Sequence, residues 1–175
     1  MPIIRIIALL VFTVLGGCQY VTIQSGQLSA VIKALSPDSK VTPAFFWTVQ
    51  YGGYSAKVQP VIVEKSTVFV NNIDSIVFNG WSITNISGVS SFTPAWEIRD
   101  SGRERSFVVQ GQIVATHQCD PWLKTNVEYK VRFEQHCTGK KAYTNTILVD
   151  SLGQITDIEQ VVDSSFMVLR LRLNN

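Results

Sequence analysis

Apolar and polar residues alternate along much of the 175-residue chain, which is the pattern of β-strands with one dry face and one wet face. Segment 127–137 (VEYKVRFEQHC) alternates apolar residues with charged ones, and segment 166–173 (FMVLRLRL) repeats the pattern with two arginines. A strand with charge at every second position favours an antiparallel sheet over a buried parallel one.

Turn residues divide the chain after residue 40 into short apolar segments. The dipeptides Gly52-Gly53 and Asn79-Gly80 and the polar segments 100–103 and 150–153 mark turns. We count about nine to eleven strands, with turn signals roughly every 8–12 residues. The predicted fold class is therefore mainly β, with an antiparallel sheet that forms a barrel, a half-barrel or a sandwich.

Helical periodicity is convincing in one place only, near the N-terminus. Leu28, Val31, Ile32 and Leu35 recur at positions i, i+3, i+4 and i+7, which places one apolar stripe along a helix. Pro37 ends this pattern. We expect one short N-terminal helix before the sheet begins.

The first 17 residues have the pattern of a secretory signal peptide. Arg5 precedes an apolar run at 6–15, and Gly16 and Gly17 supply small residues for cleavage. The run is shorter than the roughly 20 residues that a membrane-spanning helix needs. We therefore predict a signal peptide at residues 1–17.

The tetrapeptide Leu15-Gly16-Gly17-Cys18 resembles the bacterial lipobox. The resemblance implies that Cys18 is acylated, for example with palmitate, becomes the first mature residue and anchors the protein in a membrane. Gln19 resembles the signal for sorting to the outer membrane. We expect a lipidated tether at 18–24 and a single β-rich domain at 25–175 that faces the periplasm. The alternative is an ordinary signal peptide in which Cys18 is incidental.

The charge balance limits the partners. The chain has 15 basic and 13 acidic residues, and removal of residues 1–17 takes away Arg5 alone, leaving 14 basic residues. This near balance gives no electrostatic basis for nucleic-acid binding. No second long apolar segment occurs, so the expected membrane contact is the lipid anchor.

Cys119 and Cys137 are an even pair in an oxidising compartment, which predicts a disulfide. A simple hairpin around residues 122–124 would place Cys137 opposite a residue near 107. The disulfide therefore needs a different register between the two strands or a longer connection between them. The alternative is a zinc or copper site with His117 and His136. We expect no metal, because His136 and Cys137 point to opposite faces of a strand.

No catalytic motif is present in the sequence. A Gly-x-Ser-x-Gly segment, a phosphate-binding glycine loop and a dinucleotide fingerprint are all missing. The candidate carboxylates for paired acid–base chemistry are interpreted as solvated strand or turn residues; they are Glu97, Asp100, Glu104, Asp157 and Glu159. We expect no catalytic residues, no enzymatic activity and no cofactor.

The four tryptophans are the most informative side chains for ligand binding. Trp47, Trp81, Trp96 and Trp122 are candidates for a surface that stacks on sugar rings or acyl chains. The alternative is that they fill the core, as most aromatic residues of a sheet do. Trp122, in the polar loop 120–126, is the hardest to explain as a core residue.

Two segments resemble the YjbF/GfcB-type lipoproteins, which are found with capsule and exopolysaccharide genes. Segment 66–86 is similar to that family's strand–turn–strand unit, and segment 143–162, with its Asp-Ser-x-Gly-Gln-Ile turn, is similar to its closing hairpin. The resemblance implies a role in polysaccharide secretion or envelope assembly. It implies no catalytic residues.

Three functions follow as hypotheses. The first is a non-enzymatic, outer-membrane-anchored domain that binds glycan or an envelope protein partner and assists polysaccharide secretion or envelope assembly. The second is a carrier or receptor for acyl chains or lipoproteins, with a half-barrel whose apolar concave face is open. The third is a periplasmic hydrolase.

Overall fold

The computed structural model describes residues 46–90 and 92–174, which belong to one compact unit that spans Asp38–Asn175. Thirteen β-strands occur in this part, and no helix does. The strands are β1 (Phe46–Tyr51), β2 (Tyr54–Val63), β3 (Ser66–Val70), β4 (Ser75–Phe78), β5 (Ile83–Ser87), β6 (Trp96–Asp100), β7 (Glu104–Val109), β8 (Gln112–Cys119), β9 (Leu123–Val127), β10 (Lys130–Thr138), β11 (Ala142–Val149), β12 (Ile155–Val161) and β13 (Val168–Asn174).

Several predictions concern residues outside this described part. They are the signal peptide at 1–17, the lipidated Cys18, the tether at 18–24 and the short helix around residues 28–35. They stay predictions.

Twelve of the strands form a closed antiparallel barrel. β1 to β8 pair in chain order, β13 pairs with both β1 and β12, and β12 pairs with β11. β10 then joins β11 to β8 and closes the ring, while β9 pairs with β10 as an additional strand. The mainly β, antiparallel prediction is confirmed in its barrel form, and the half-barrel and sandwich alternatives are wrong.

Alternation places apolar side chains inside the barrel. In β13, Leu169 and Leu171 are fully buried, whereas Arg170 and Arg172 point outward to pair with Glu159 and Asp157 of β12. Fully buried apolar side chains from other strands complete the core; examples are Val49, Ile76, Ile83, Ile86, Phe107 and Ile158. Tight packing of such side chains supplies the main stabilisation of the sheet.

The contact between β8 and β10 is one of the two shortest links in the ring, since β5 and β6 also share only two residue pairs. It consists of two residue pairs, Cys119 with Cys137 and Gln118 with Thr138. The remainder of that β10 edge is occupied by β9, from Glu134 opposite Leu123 to Lys130 opposite Val127. We call this contact the seam.

The β9–β10 hairpin corrects the strand expected at 127–137. β9 ends at Val127 and β10 begins at Lys130, so Glu128 and Tyr129 form the turn. Glu128 has a φ of 52°, and Tyr129 is 87% exposed. The turn is only two residues long and therefore preserves the apolar–polar alternation, which is why the sequence pattern conceals it.

Candidate functional site

The structure separates the four candidate tryptophans into two groups. Trp47 is 6% exposed and packs against Phe69, with ring centroids 4.9 Å apart. Trp96 is partly buried and packs edge-on against Phe92 at 5.8 Å. The expectation that Trp47 contributes to a binding surface is wrong, because its inward position in β1 leaves no face for a ligand. Trp96 is mainly a packing residue.

Trp81 and Trp122 come together with Phe133 in what we call the aromatic cluster. The Trp81 ring lies 5.8 Å from the Trp122 ring and 5.2 Å from the Phe133 ring, which it meets edge-on. Trp81 remains 48% exposed, while Trp122 and Phe133 are partly buried against the core. The β4–β5 and β8–β9 loops meet here because antiparallel strands bring these two connections to the same end of the barrel.

Hydrogen bonds fix the Trp81 backbone. Its N–H donates to the Asn79 side-chain oxygen at 3.0 Å, and the Ser82 N–H donates to the same oxygen at 2.8 Å. The Gln160 amide donates to the Trp81 carbonyl at 2.7 Å. Gly80, with a φ of 100°, supplies a conformation that other residues rarely adopt. The backbone that carries the exposed Trp81 indole is thus ordered before a ligand binds.

A buried polar layer supports the cluster from inside the barrel. The Arg105 guanidinium is fully buried and donates to Asp100 at 2.8 Å and to Gln160 at 3.0 Å. Asp100 also accepts from the Ser82 hydroxyl at 2.7 Å, and Gln160 accepts from the Ile83 N–H at 2.9 Å. Burial lowers the pKa of Arg105, whereas the Asp100 carboxylate opposes that change.

Most carboxylates considered for acid–base chemistry are paired with arginines. Asp100 pairs with Arg105 at 2.8 Å, and Glu97 pairs with Arg99 at 2.8 Å. Asp157 and Glu159 pair with the arginines of β13, as described above. The expectation of solvated carboxylates is wrong for Asp100 and Asp157, which are buried in their charge pairs, whereas Glu97 and Glu159 remain partly exposed.

His117 is an interior residue. It is 4% exposed, accepts or donates a 2.9 Å hydrogen bond with the Tyr143 hydroxyl and stacks on the Phe166 ring at 5.1 Å. Burial lowers the pKa of His117, and the positive charge of Arg105 lowers it further. Burial raises the pKa of Tyr143 to about 12. His136, by contrast, is exposed and contacts Thr144 at 3.0 Å.

The disulfide prediction for Cys119 and Cys137 is confirmed. The sulfur atoms are bonded at 2.05 Å, and the two residues face each other across the seam. The sulfurs are therefore not free thiolates for the alternative metal site with His117 and His136. Within the described residues, no group of three or more His, Cys, Asp or Glu side chains is arranged to hold a metal ion.

An open cleft of about 430 Å³, here called the outer cleft, lies along the seam. Its lining residues are Arg103, Gln118, Cys119, Asp120, Pro121, His136 and Thr138. Between the seam and β9, three residues (120–122) face two residues of β10, so the chain bulges. The Asp120 N–H still donates to the His136 carbonyl at 2.8 Å, but Pro121 has no N–H to continue the ladder.

Sequence reasoning missed the outer cleft and the roles of Phe133 and Arg105. The one available signal for the cleft was Pro121 directly after a strand, because proline within a sheet marks an edge or a bulge. Nothing in the sequence reveals that an arginine near a predicted turn is fully buried.

Comparisons with known proteins show a likeness of fold. No protein-family model matches the chain, and no curated protein matches it. Its fold is similar to the crystal structure of the hypothetical lipoprotein YmcC from Escherichia coli (K12), with a TM-score of 0.54 and 11% sequence identity. The match covers 87% of this chain and 96% of that chain. At this identity the likeness shows a shared fold.

The part of the chain that the structure describes has no helix with the length and hydropathy of a membrane span.

Proposed function

We propose that this protein is a non-enzymatic lipoprotein of the bacterial outer membrane that binds glycan at the aromatic cluster and assists polysaccharide secretion or envelope assembly. The observation that carries the proposal is Trp81, which is half exposed, rests against Trp122 and Phe133, and has its backbone fixed on both sides.

The energetics favour such a role for Trp81. A tryptophan buries roughly 150–250 Å² when fully covered, so its exposed half offers on the order of 100 Å². Covering that area with the apolar face of a sugar ring contributes about 2–3 kcal/mol. Because the Asn79 and Gln160 hydrogen bonds already order the loop, little conformational entropy is lost on binding.

The anchoring part of the proposal is supported by the lipobox-like sequence at Leu15-Gly16-Gly17-Cys18 and by the shared fold with a protein described as a lipoprotein. Cells supplied with labelled palmitate should incorporate the label into the wild-type protein. The Cys18→Ser variant should take up none and should leave the membrane fraction. Equal labelling of both forms would contradict the anchoring site.

The interior of the barrel weighs against an acyl-chain carrier. An apolar ligand would meet the buried Arg105–Asp100 pair and the fully buried amides of Gln135, Asn145 and Gln160. Charged and amide groups make an unfavourable lining for hydrocarbon, because a polar group beside an acyl chain is cut off from water. The pairing of carboxylates with arginines likewise gives no support to a hydrolase.

Glycan binding is testable by affinity electrophoresis of the full-length protein in detergent. Native gels would contain dextran, hyaluronan, alginate or polygalacturonate, and the acidic polymers would also be used in carboxyl-reduced form. We expect at least one polymer to retard the wild type and Trp81→Ala to lose most of that retardation. Tyr129→Ala is the matched control, because this exposed aromatic residue lies in the β9–β10 turn, roughly 20 Å along the strand from Trp122.

Two results would contradict glycan binding at this surface. One is that no polymer retards the wild type. The other is that Trp81→Ala and Tyr129→Ala behave alike.

A further inference from the structure

We propose that the outer cleft binds a carboxylate-bearing sugar unit, so that the glycan recognised by this protein is an acidic polysaccharide. The inference rests on the proposed glycan-binding function and names its substrate class. The cleft is separate from the aromatic cluster and is built by the bulge at the seam.

Arg103 is the group that selects the charge. It lies in the β6–β7 turn, is exposed and lines the cleft. Its backbone carbonyl accepts from the Cys119 N–H at 2.8 Å, which ties the turn to the seam. Its guanidinium makes no hydrogen bond or ion pair within residues 46–90 and 92–174. The backbone of Arg103 is thus held in place, while its guanidinium is available to bind a ligand.

The rest of the lining suits a sugar. Gln118 and Thr138 point outward from paired positions on β8 and β10 and offer donors and acceptors for hydroxyl groups. The Asp120 carboxylate suits hydroxyl groups and repels a sugar carboxylate, so the acid group belongs beside Arg103, and Pro121 adds an apolar face. A guanidinium binds a carboxylate through two parallel hydrogen bonds, which is a geometry that neutral sugars do not offer.

The size of the cleft fits a short segment of polysaccharide. Its volume of about 430 Å³ lies in the lower part of the range of small-ligand sites, which is roughly 300–1,000 Å³. Asp120 and Pro121 line the cleft, and the next residue, Trp122, belongs to the aromatic cluster. One three-residue segment, at most about 10 Å long, therefore carries parts of both surfaces.

The test compares each acidic polymer with its own carboxyl-reduced form, because the two share the same sugar linkages and differ in charge. Full-length protein in detergent would be titrated with hyaluronan, alginate and polygalacturonate in both forms. We expect tighter binding to at least one native form. Arg103→Gln should weaken binding to that form at least about tenfold and leave binding to the reduced form unchanged. Gln118→Ala should weaken binding to both forms.

Lys65→Gln is the matched control. It removes the same charge from an exposed turn between β2 and β3, five strands away from β8 around the ring. We expect this variant to bind like the wild type. Poly-glutamate is the second control, and it should bind at least tenfold more weakly than the acidic polysaccharide.

The outcomes separate this inference from the proposed function. If Trp81→Ala loses binding but Arg103→Gln equals the wild type, the acidic specificity is wrong and glycan binding stands. If poly-glutamate binds as tightly as the polysaccharide, the cleft recognises charge alone and the inference is overturned. If no polymer binds the wild type, both proposals fail.

Discussion

Arg105 links the polar groups that are buried inside the barrel. Its charge is fully buried, and it connects Asp100 to Gln160, which in turn holds the backbone of Trp81 and Ile83. Burying an ion pair is costly, but removing one partner costs more, because the other charge is left without compensation. The interior pair therefore couples the fold to the geometry of the aromatic cluster.

Replacement of Arg105 by Met should lower the free energy of unfolding by about 3–5 kcal/mol, because the Asp100 carboxylate stays buried without a positive charge and keeps only the hydrogen bonds from the Ser82 hydroxyl and the Gly102 N–H. Urea denaturation followed by circular dichroism measures the change. The combined variant Arg105→Met with Asp100→Asn should recover part of the loss. Lys65→Met, an exposed control, should stay within about 0.5 kcal/mol of the wild type. A loss below about 1 kcal/mol for Arg105→Met would show that the pair has no such role.

His117 should make stability depend on pH. Its pKa is lowered in the folded state from the ordinary value of 6.5. As the pH falls through 6.5, the unfolded chain takes up a proton that the folded chain does not, so stability present above pH 6.5 is lost below it. His117→Phe should reduce the difference in unfolding free energy between pH 7.5 and pH 5.5. Tyr143→Phe, which removes the hydrogen bond and keeps the imidazole, should retain that difference; an unchanged difference in His117→Phe would refute the assignment.

Side-chain environment is the level at which the sequence was least informative. Trp47 lies within a strand and points inward, whereas Trp81 lies in the turn that follows Asn79-Gly80. That difference in local context favours an exposed position for Trp81. Trp122 and Phe133, which pack against Trp81, lie more than 40 residues further along the sequence. No local sequence pattern identifies them as its neighbours.

At the level of elements, the seam between β8 and β10 is a short connection that a covalent bond reinforces. Only two residue pairs join these strands, and one of them is the disulfide. A covalent link here prevents the two strands from separating where the hydrogen-bonded ladder is only two residue pairs long. The same bulge that shortens the ladder creates the outer cleft.

Loss of the disulfide should destabilise the barrel and loosen the seam first. The link joins residues 18 positions apart, and a loop of that length contributes about 3 kcal/mol. The double variant Cys119→Ser with Cys137→Ser should lose about that amount in urea denaturation. In this variant, amide hydrogen exchange should accelerate at positions 119 and 120 before it accelerates at the β1–β13 pairing. Uniform acceleration across the barrel would contradict a special role for the seam.

The position of the disulfide shows what the sequence pattern can and cannot supply. Spacing and compartment predicted the bond, but a single hairpin around residues 122–124 gave the wrong register for Cys137. The actual hairpin turns at 128–129, and β9 extends beyond β8 by way of the bulge at 120–122. The turn preserves the alternation of the flanking strands, so periodicity alone does not reveal it.

At the scale of the whole molecule, the antiparallel β class was predictable and the closure of the sheet was not. Alternation and turn spacing are local properties, whereas closure depends on β13 meeting β1 and on β10 meeting β8. Those pairings join segments that are far apart in sequence or share only two positions. The closed ring, with an ion pair and several amides buried in its apolar core, supports a binding domain more than an open carrier for acyl chains.

The central claim is that one end of this barrel presents Trp81 and Trp122 to a glycan while Trp47 and Trp96 serve packing. The chain has four tryptophans, so a ¹⁵N–¹H spectrum of the full-length protein in detergent contains four indole signals, each assignable from a Trp→Phe variant. Titration with the polysaccharide that retards the wild type should shift the Trp81 and Trp122 signals and leave the Trp47 and Trp96 signals in place. Shifts confined to Trp47 and Trp96, or no shifts at saturation, would contradict the account.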